Sequence, residues 1–222
     1  MQKIGSYTFQ EYCDRVKSFH GALAPGILIG GFMVDAARRD LPASIFFDVI
    51  CETVECLPDA VQLLTPCSVG NQWMKIIDVG RFAVTLYDKD TGQGVRVHLD
   101  SAKLEKWPAI REWFMKLKPK KQQDHDRLVA EIRDAGTDVF TMERLIVAPD
   151  FLRGRSPKSV SICQVCGEAY RSDDGTICPA CKDGCLPYAV RNEHADETPP
   201  APLRGEYVSP RLGPTGVERA SS

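Results

Sequence analysis

Cys163-Gln164-Val165-Cys166 and Cys178-Pro179-Ala180-Cys181 are two CxxC pairs separated by eleven residues. Two residues between cysteines form a tight turn that leaves both sulfurs on one side, so each pair can converge on a single ion. Two such pairs complete a four-thiolate tetrahedral shell, the arrangement of a structural zinc site with no open position. Gly167 and Gly175 supply permissive backbone for the knuckles. The stretch Arg171 to Thr176 is long enough to hold a hairpin between them. Disulfides or free thiols are the competing reading, and the paired spacing argues against both.

A second group of chemistry-bearing residues lies earlier. His20, Cys51, Cys56 and Cys67 all fall near the ends of predicted elements. His20, Cys56 and Cys67 offer one nitrogen and two sulfurs, and three protein ligands leave a fourth position open, as in reactive zinc sites. Cys56 stands just before a predicted helix, where the dipole and free N–H groups favour thiolate. Glu52 or Glu55 would serve as a nearby acid or base. Spacing alone leaves the plainer reading open: small core thiols, a hydrogen-bonded histidine and surface carboxylates.

The elements that must position these residues read as follows. Thr8 and Glu11 form a capping box before Phe9, Tyr12, Cys13, Val16 and Phe19, which recur at helical spacing. Gly21 is placed to end that helix. Pro25 opens a second, apolar all round and therefore central to the core, running to Arg38 or Arg39. Ile45 to Ile50 is a strand candidate, and Pro58 opens a short helix that ends by Pro66. Three strands follow, Trp73 to Asp78, Phe82 to Tyr87 and Gly94 to Leu99, with turns at Val79-Gly80 and Lys89 to Gly92, so antiparallel pairing is expected. Leu104 to Leu117 reads as helix broken at Pro108. Asp124 caps another helix that Gly136 ends, and Thr137 begins a further short helix through Leu145. The pattern is α+β.

The 222 residues divide into an α+β domain over 1–150, a linker over 151–160, a zinc ribbon over 161–186 and a mobile tail over 187–222, rich in Pro, Gly, Ser and charge. The net charge of −2 gives no general attraction to nucleic acid or anionic membrane. No apolar run reaches membrane-spanning length. The start, Met1 to Ser6, lacks the apolar block of a signal peptide. Nine cysteines with four in a zinc pattern fit a reducing compartment, so a cytoplasmic location is expected.

Four stretches together resemble a known family, the FmdE or FwdE-like proteins, named for a component of formylmethanofuran dehydrogenase. They are Phe19-His20-Gly21-Ala22-Leu23-Ala24-Pro25-Gly26, Glu55-Cys56-Leu57-Pro58-Asp59-Ala60-Val61-Gln62, Thr65-Pro66-Cys67-Ser68-Val69-Gly70 and the segment Tyr87 to Arg96. The ribbon opening Cys163-Gln164-Val165-Cys166-Gly167-Glu168 is similar to one that many members carry. The resemblance spans about residues 5 to 185. It implies an FwdE-like domain with an antiparallel sheet and packed helices, a zinc ribbon, and a homodimer. It also implies that His20, Cys56 and Cys67 bind a metal or another cofactor. In the family's His-Gly-His-x-Cys-Pro-Gly pattern His20 matches the first histidine, but Ala22 and Ala24 stand where the second histidine and the cysteine belong. Two methyl groups there remove an imidazole and a thiol.

Three functions follow. The first is a metal-binding accessory protein, redox or C1- and cofactor-linked. The second is a non-catalytic module holding a metal, an aromatic cofactor or a tetrapyrrole, with His20 as axial-type ligand. The third is a regulatory module acting through the ribbon. Arg171-Ser172-Asp173-Asp174 carries little net positive charge, which favours a protein partner over nucleic acid. The chain itself has no molybdopterin, flavin or iron–sulfur signature.

Overall fold

Local chemistry starts the first helix. A short pair of strands, β1 (Lys3–Ile4) and β2 (Tyr7–Thr8), delivers Thr8 to the start of α1 (Phe9–His20). The Thr8 hydroxyl accepts from the Glu11 N–H at 3.3 Å, and the Glu11 carboxylate accepts from the Thr8 N–H at 2.7 Å. Such a reciprocal cap contributes about 1 kcal/mol. Gly21 ends the helix at φ +83°, a left-handed conformation that glycine adopts without a Cβ penalty. The structure, a computed structural model, describes residues 2–152, 159–172 and 175–183. It divides into two units, 1–152 and 153–222.

In the first unit α2 (Pro25–Asp40) is the hub, buried on nearly every side. Two glycines in its middle let neighbours come close. A Cβ on Gly30 would stand 2.8 Å from the Ala60 Cβ of α3 (Leu57–Leu64), and one on Gly31 would stand 2.5 Å from the Tyr12 ring of α1. The Tyr12 hydroxyl donates to the Ile27 carbonyl at 3.3 Å across the same contact.

Against α2 lies a five-stranded sheet in the order β4-β3-β5-β6-β7, formed by β3 (Phe47–Cys51), β4 (Met74–Ile76), β5 (Ala83–Asp88), β6 (Gln93–Leu99) and β7 (Phe140–Ile146). Val49, Cys51, Val84, Leu86, Val95 and Val97 make its packed face. The opposite face carries charge. Glu52, just past β3, accepts from Arg96 at 2.6 and 3.1 Å and pairs with Arg81 at 2.9 Å. Asp48 pairs with Lys75 at 2.9 Å and Lys89 at 3.1 Å.

Two expectations are corrected here. The strand expected over Trp73 to Asp78 shortens to β4 and pairs with β3 in parallel, not antiparallel. The helix α3 lies between them, so β3-α3-β4 is a crossover, which returns the chain in the same direction. Thr137 to Leu145 does not begin a helix. Most of it is β7, paired antiparallel with β6 along seven residues, and Phe140 is buried in the core. The open edge of β6 decides the conformation where local propensity does not.

The remaining helices follow their signals. A 3-10 turn (Ser101–Lys106), capped by Asp100, precedes α4 (Pro108–Phe114). The helix α5 (His125–Ala135) starts on Asp124, whose carboxylate accepts from the Arg127 N–H at 3.0 Å. A one-turn helix, α6 (Pro149–Leu152), occupies the start of the expected linker.

In the second unit β8 (Ser159–Ile162) and β9 (Ala169–Ser172) pair antiparallel, and α7 (Pro179–Asp183) follows. The hairpin encloses the first CxxC knuckle instead of linking the two, and the second knuckle opens a helix with Pro179 in its first position. The small zinc unit expected from the sequence thus takes a treble-clef form. The tail expected over 187–222 lies outside the described residues, as do 153–158 of the expected linker. Among the described residues no helix is long and apolar enough to cross a membrane.

Candidate functional site

The four-cysteine site is assembled by backbone hydrogen bonds. Cys163 leaves β8 and donates its N–H to the Glu168 carbonyl at 2.9 Å, while the Gly167 N–H returns to the Cys163 carbonyl at 2.9 Å. Gly167 makes this turn at φ +74°. Across the site the Cys178 N–H donates to the Cys163 sulfur at 3.3 Å. The ligand atoms of Cys163, Cys166, Cys178 and Cys181 all lie within 4.8 Å of one another, and the sulfurs of Cys166 and Cys178 are 3.9 Å apart. Sulfurs around a tetrahedral zinc, each about 2.3 Å from it, stand about 3.8 Å apart, so this donor set fits zinc.

The thiols here differ in acidity. Backbone N–H groups, first that of Cys178 and then that of Cys166, pull Cys163 down to about 6. Cys181 is pushed up to about 12, chiefly by the neighbouring Cys178 side chain. One thiolate is ready at neutral pH, and a bound dication would take the place of the remaining protons. Closed by four sulfurs, the centre offers a substrate no position.

The first unit treats its candidates differently. His20, the last residue of α1, has Nδ1 2.7 Å from the Asp59 carboxylate of α3, and so ties two helix ends together. Cys67 is buried, with its sulfur 3.6 Å from the Phe47 carbonyl, and burial raises its thiol pKa. Cys51 sits 3.8 Å from the Met74 sulfur and is pushed up to about 12, first by burial and then by Cys67. Glu52 belongs to the ion pairs on the open sheet face, and Glu55 is exposed. Among the described residues, the one group of three or more His, Cys, Asp or Glu close enough to hold a metal is the four-cysteine set. His20, Cys56 and Cys67 are not gathered around a common point.

Cys56 is the residue of the three with an unusual position. Its backbone has φ +59° and ψ −46°, and the Leu57 N–H donates to the Glu55 carbonyl at 2.6 Å. That is a γ-turn centred on Cys56, a strained conformation for a side-chain-bearing residue. Its sulfur packs on the start of α2, where a Cβ on Gly26 would meet it at 2.7 Å and Trp113 at 3.6 Å. Contrary to the expectation of a thiolate, burial raises the Cys56 pKa, and the Glu55 and Asp59 charges raise it further. Desolvation and two carboxylates outweigh the helix end.

Beside this turn is a cavity of about 520 Å³, lined by Cys56, Asp78, Phe82, Trp113, Phe114 and Lys116 among others. Asp59 bonds His20 and its charge also acts on the Cys56 thiol, so one carboxylate links the two candidates, while His20 itself does not line this cavity. The aromatic wall was not foreseen from the sequence. Its one local signal is the adjacent pair Trp113-Phe114 on a short helix opened by Pro108.

An α+β domain with a strained-thiol cavity, followed in the chain by a treble-clef four-cysteine finger, defines a two-unit metal-binding protein. Residues 19–147 match the family described as FmdE, molybdenum formylmethanofuran dehydrogenase operon, and residues 154–189 match the FmdE treble clef zinc finger. The chain belongs to the FmdE family. A solved structure similar to it is a tungsten formylmethanofuran dehydrogenase FmdE-like protein from Syntrophus aciditrophicus. The two are 48% identical with a TM-score of 0.78, over 85% of this chain and 98% of that one. A curated relative, a probable S-adenosyl-L-methionine-binding protein from Archaeoglobus fulgidus, is 28% identical over 188 residues, 75% of this chain and 51% of the relative. The chain thus spans about half the length of that relative.

Proposed function

We propose that this FmdE-family chain is an accessory protein with two jobs. The finger holds zinc as a structural clasp and presents a surface to a protein partner. The first unit binds a redox- or C1-linked cofactor or substrate in the cavity beside Cys56. The convergence of four sulfurs within 4.8 Å carries the metal reading. Val160, Ile162 and Val165 are each more than 60% exposed on the finger, which supports protein contact. Metal analysis of the purified chain and of the Cys163→Ser, Cys178→Ser double variant tests the clasp. One zinc per chain, lost in the variant, is expected. Zinc retained in the variant removes the assignment.

A second reading of the cavity is favoured by its three aromatic residues and two carboxylates, and by the similarity to the relative above. We propose S-adenosylmethionine as the cofactor held there. Equilibrium dialysis with the labelled cofactor should show saturable binding that Phe82→Ala weakens, and absence of binding ends this reading. A homodimer completes the proposal. It is supported by the seven-residue β7, unpaired on its outer edge among the described residues, where Met142 and Ile146 are exposed. Sedimentation equilibrium that returns the mass of one chain would exclude it.

A further inference from the structure

The cavity beside Cys56 has walls of two kinds. One is aromatic. Phe82 meets Trp113 edge-on, with ring centres 6.4 Å apart and planes at 88°, and meets Phe114 at 6.1 Å and 73°. Trp113 and Phe114 stand 6.1 Å apart at 39°. The three rings make a corner in which a flat guest laid against one ring meets the edge of another, an arrangement aromatic groups favour. The volume, about 520 Å³, is that of a small-molecule site.

The other wall is electrostatic. Glu55 and Asp78 supply two carboxylates against the single ammonium of Lys116. Burial is the main cause of the raised Cys56 pKa; the Glu55 and Asp59 charges add to it, and Lys120 opposes them with a smaller effect. The thiol stays a neutral, polarizable sulfur that suits the edge of a ring and brings no opposing charge of its own. Among the described residues, two of the three non-glycine residues with positive φ, Cys56 and Lys116, line this one cavity. Strain held at one place is a mark of a site whose shape matters.

From the rings and the excess of carboxylates we infer that this cavity selects a flat aromatic ring carrying a positive charge. The ring stacks in the Phe82–Trp113–Phe114 corner, and the charge faces Asp78 and Glu55. The inference shares its cavity with the cofactor reading above but does not depend on that ligand.

Calorimetric titration at neutral pH with N-methylquinolinium, and with quinoline as the uncharged ring of the same shape, tests it. The cation is expected to bind about tenfold more tightly. The Glu55→Gln, Asp78→Asn double variant should erase that preference while quinoline binding stays. Trp113→Leu should weaken both, and Trp113→Phe, which keeps an aromatic face, should restore them; circular dichroism confirms that each variant folds. Equal binding of the two probes, no binding of either, or a preference that survives loss of both carboxylates overturns the inference. If the quinolinium binds and S-adenosylmethionine does not, the selectivity stands and the cofactor reading falls. If neither binds, both fall.

Discussion

The finger and the first unit each bring several cysteines into the structure and use them in opposite ways. In the finger, backbone N–H groups point at the Cys163 sulfur and draw its pKa down to about 6. In the first unit Cys13, Cys51, Cys56 and Cys67 are all raised, with burial the leading cause in each case. A sulfur becomes a ligand when donors and other sulfurs converge on it. Surrounded by hydrocarbon it is a small apolar residue.

The sharpest way to break this contrast is to strip the zinc and alkylate. After chelation, iodoacetamide at neutral pH should label Cys163 within minutes, while Cys51 and Cys67 stay unlabelled until the chain is denatured; peptide mass spectrometry reads the difference. Labelling of Cys51 at the same rate would show that its burial does not protect it. The stake is large, since structural zinc contributes about 10–16 kcal/mol to small metal-dependent folds.

The charged sheet face offers the next test. Burial pushes the Glu52 carboxyl up, but the Arg96 hydrogen bonds and the Arg96 and Arg81 charges more than offset it and hold it below the usual carboxylate range. Its stabilisation is therefore complete above the unfolded carboxylate value and is lost as pH falls through the lower, folded one. Glu52→Gln should cost about 2–3 kcal/mol at neutral pH. The gap to wild type should close in acid, as measured by urea denaturation across pH. A gap independent of pH would mean that the charge is not what matters.

The smallest expected effect concerns Cys56, which lines the cavity described above. Gly26→Ala would force a methyl against the Cys56 sulfur at 2.7 Å. The expected loss is about 1–3 kcal/mol, and because the Cys56 Cβ would also stand 2.8 Å from that methyl, Cys56→Gly in the same chain, which removes both atoms, should recover much of it. A loss that Cys56→Gly leaves unchanged would place the clash elsewhere.

Much of this was legible in the sequence where the cause is local. Thr8 with Glu11, Gly21 and Asp124 fix helix ends by bonds to residues three or four away, Pro25 fixes one by its locked φ, and both CxxC pairs mark their metal by equally local spacing. What escaped depends on distant partners. Thr137 to Leu145 lacks strong strand signals until the edge of β6 is there to pair with it. The parallel direction of β4 follows from α3 lying over the crossover, and turn residues do not encode that. His20, Cys56 and Cys67 all stand at element ends, as expected, but nothing in their spacing says which way each side chain leaves the backbone. The aromatic wall joins Phe82, just before β5, to Trp113 and Phe114 of α4, far along the chain.

The packing of α2 carries a consequence for how the chain tolerates change. Gly30 and Gly31 abut Ala60 and Tyr12 so closely that even one added methyl group collides on either side. In a saturation library selected for soluble expression, these two adjacent codons should stand out as a gap in which nearly every replacement is lost. Positions on the exposed face of α5 should accept most of the amino-acid alphabet.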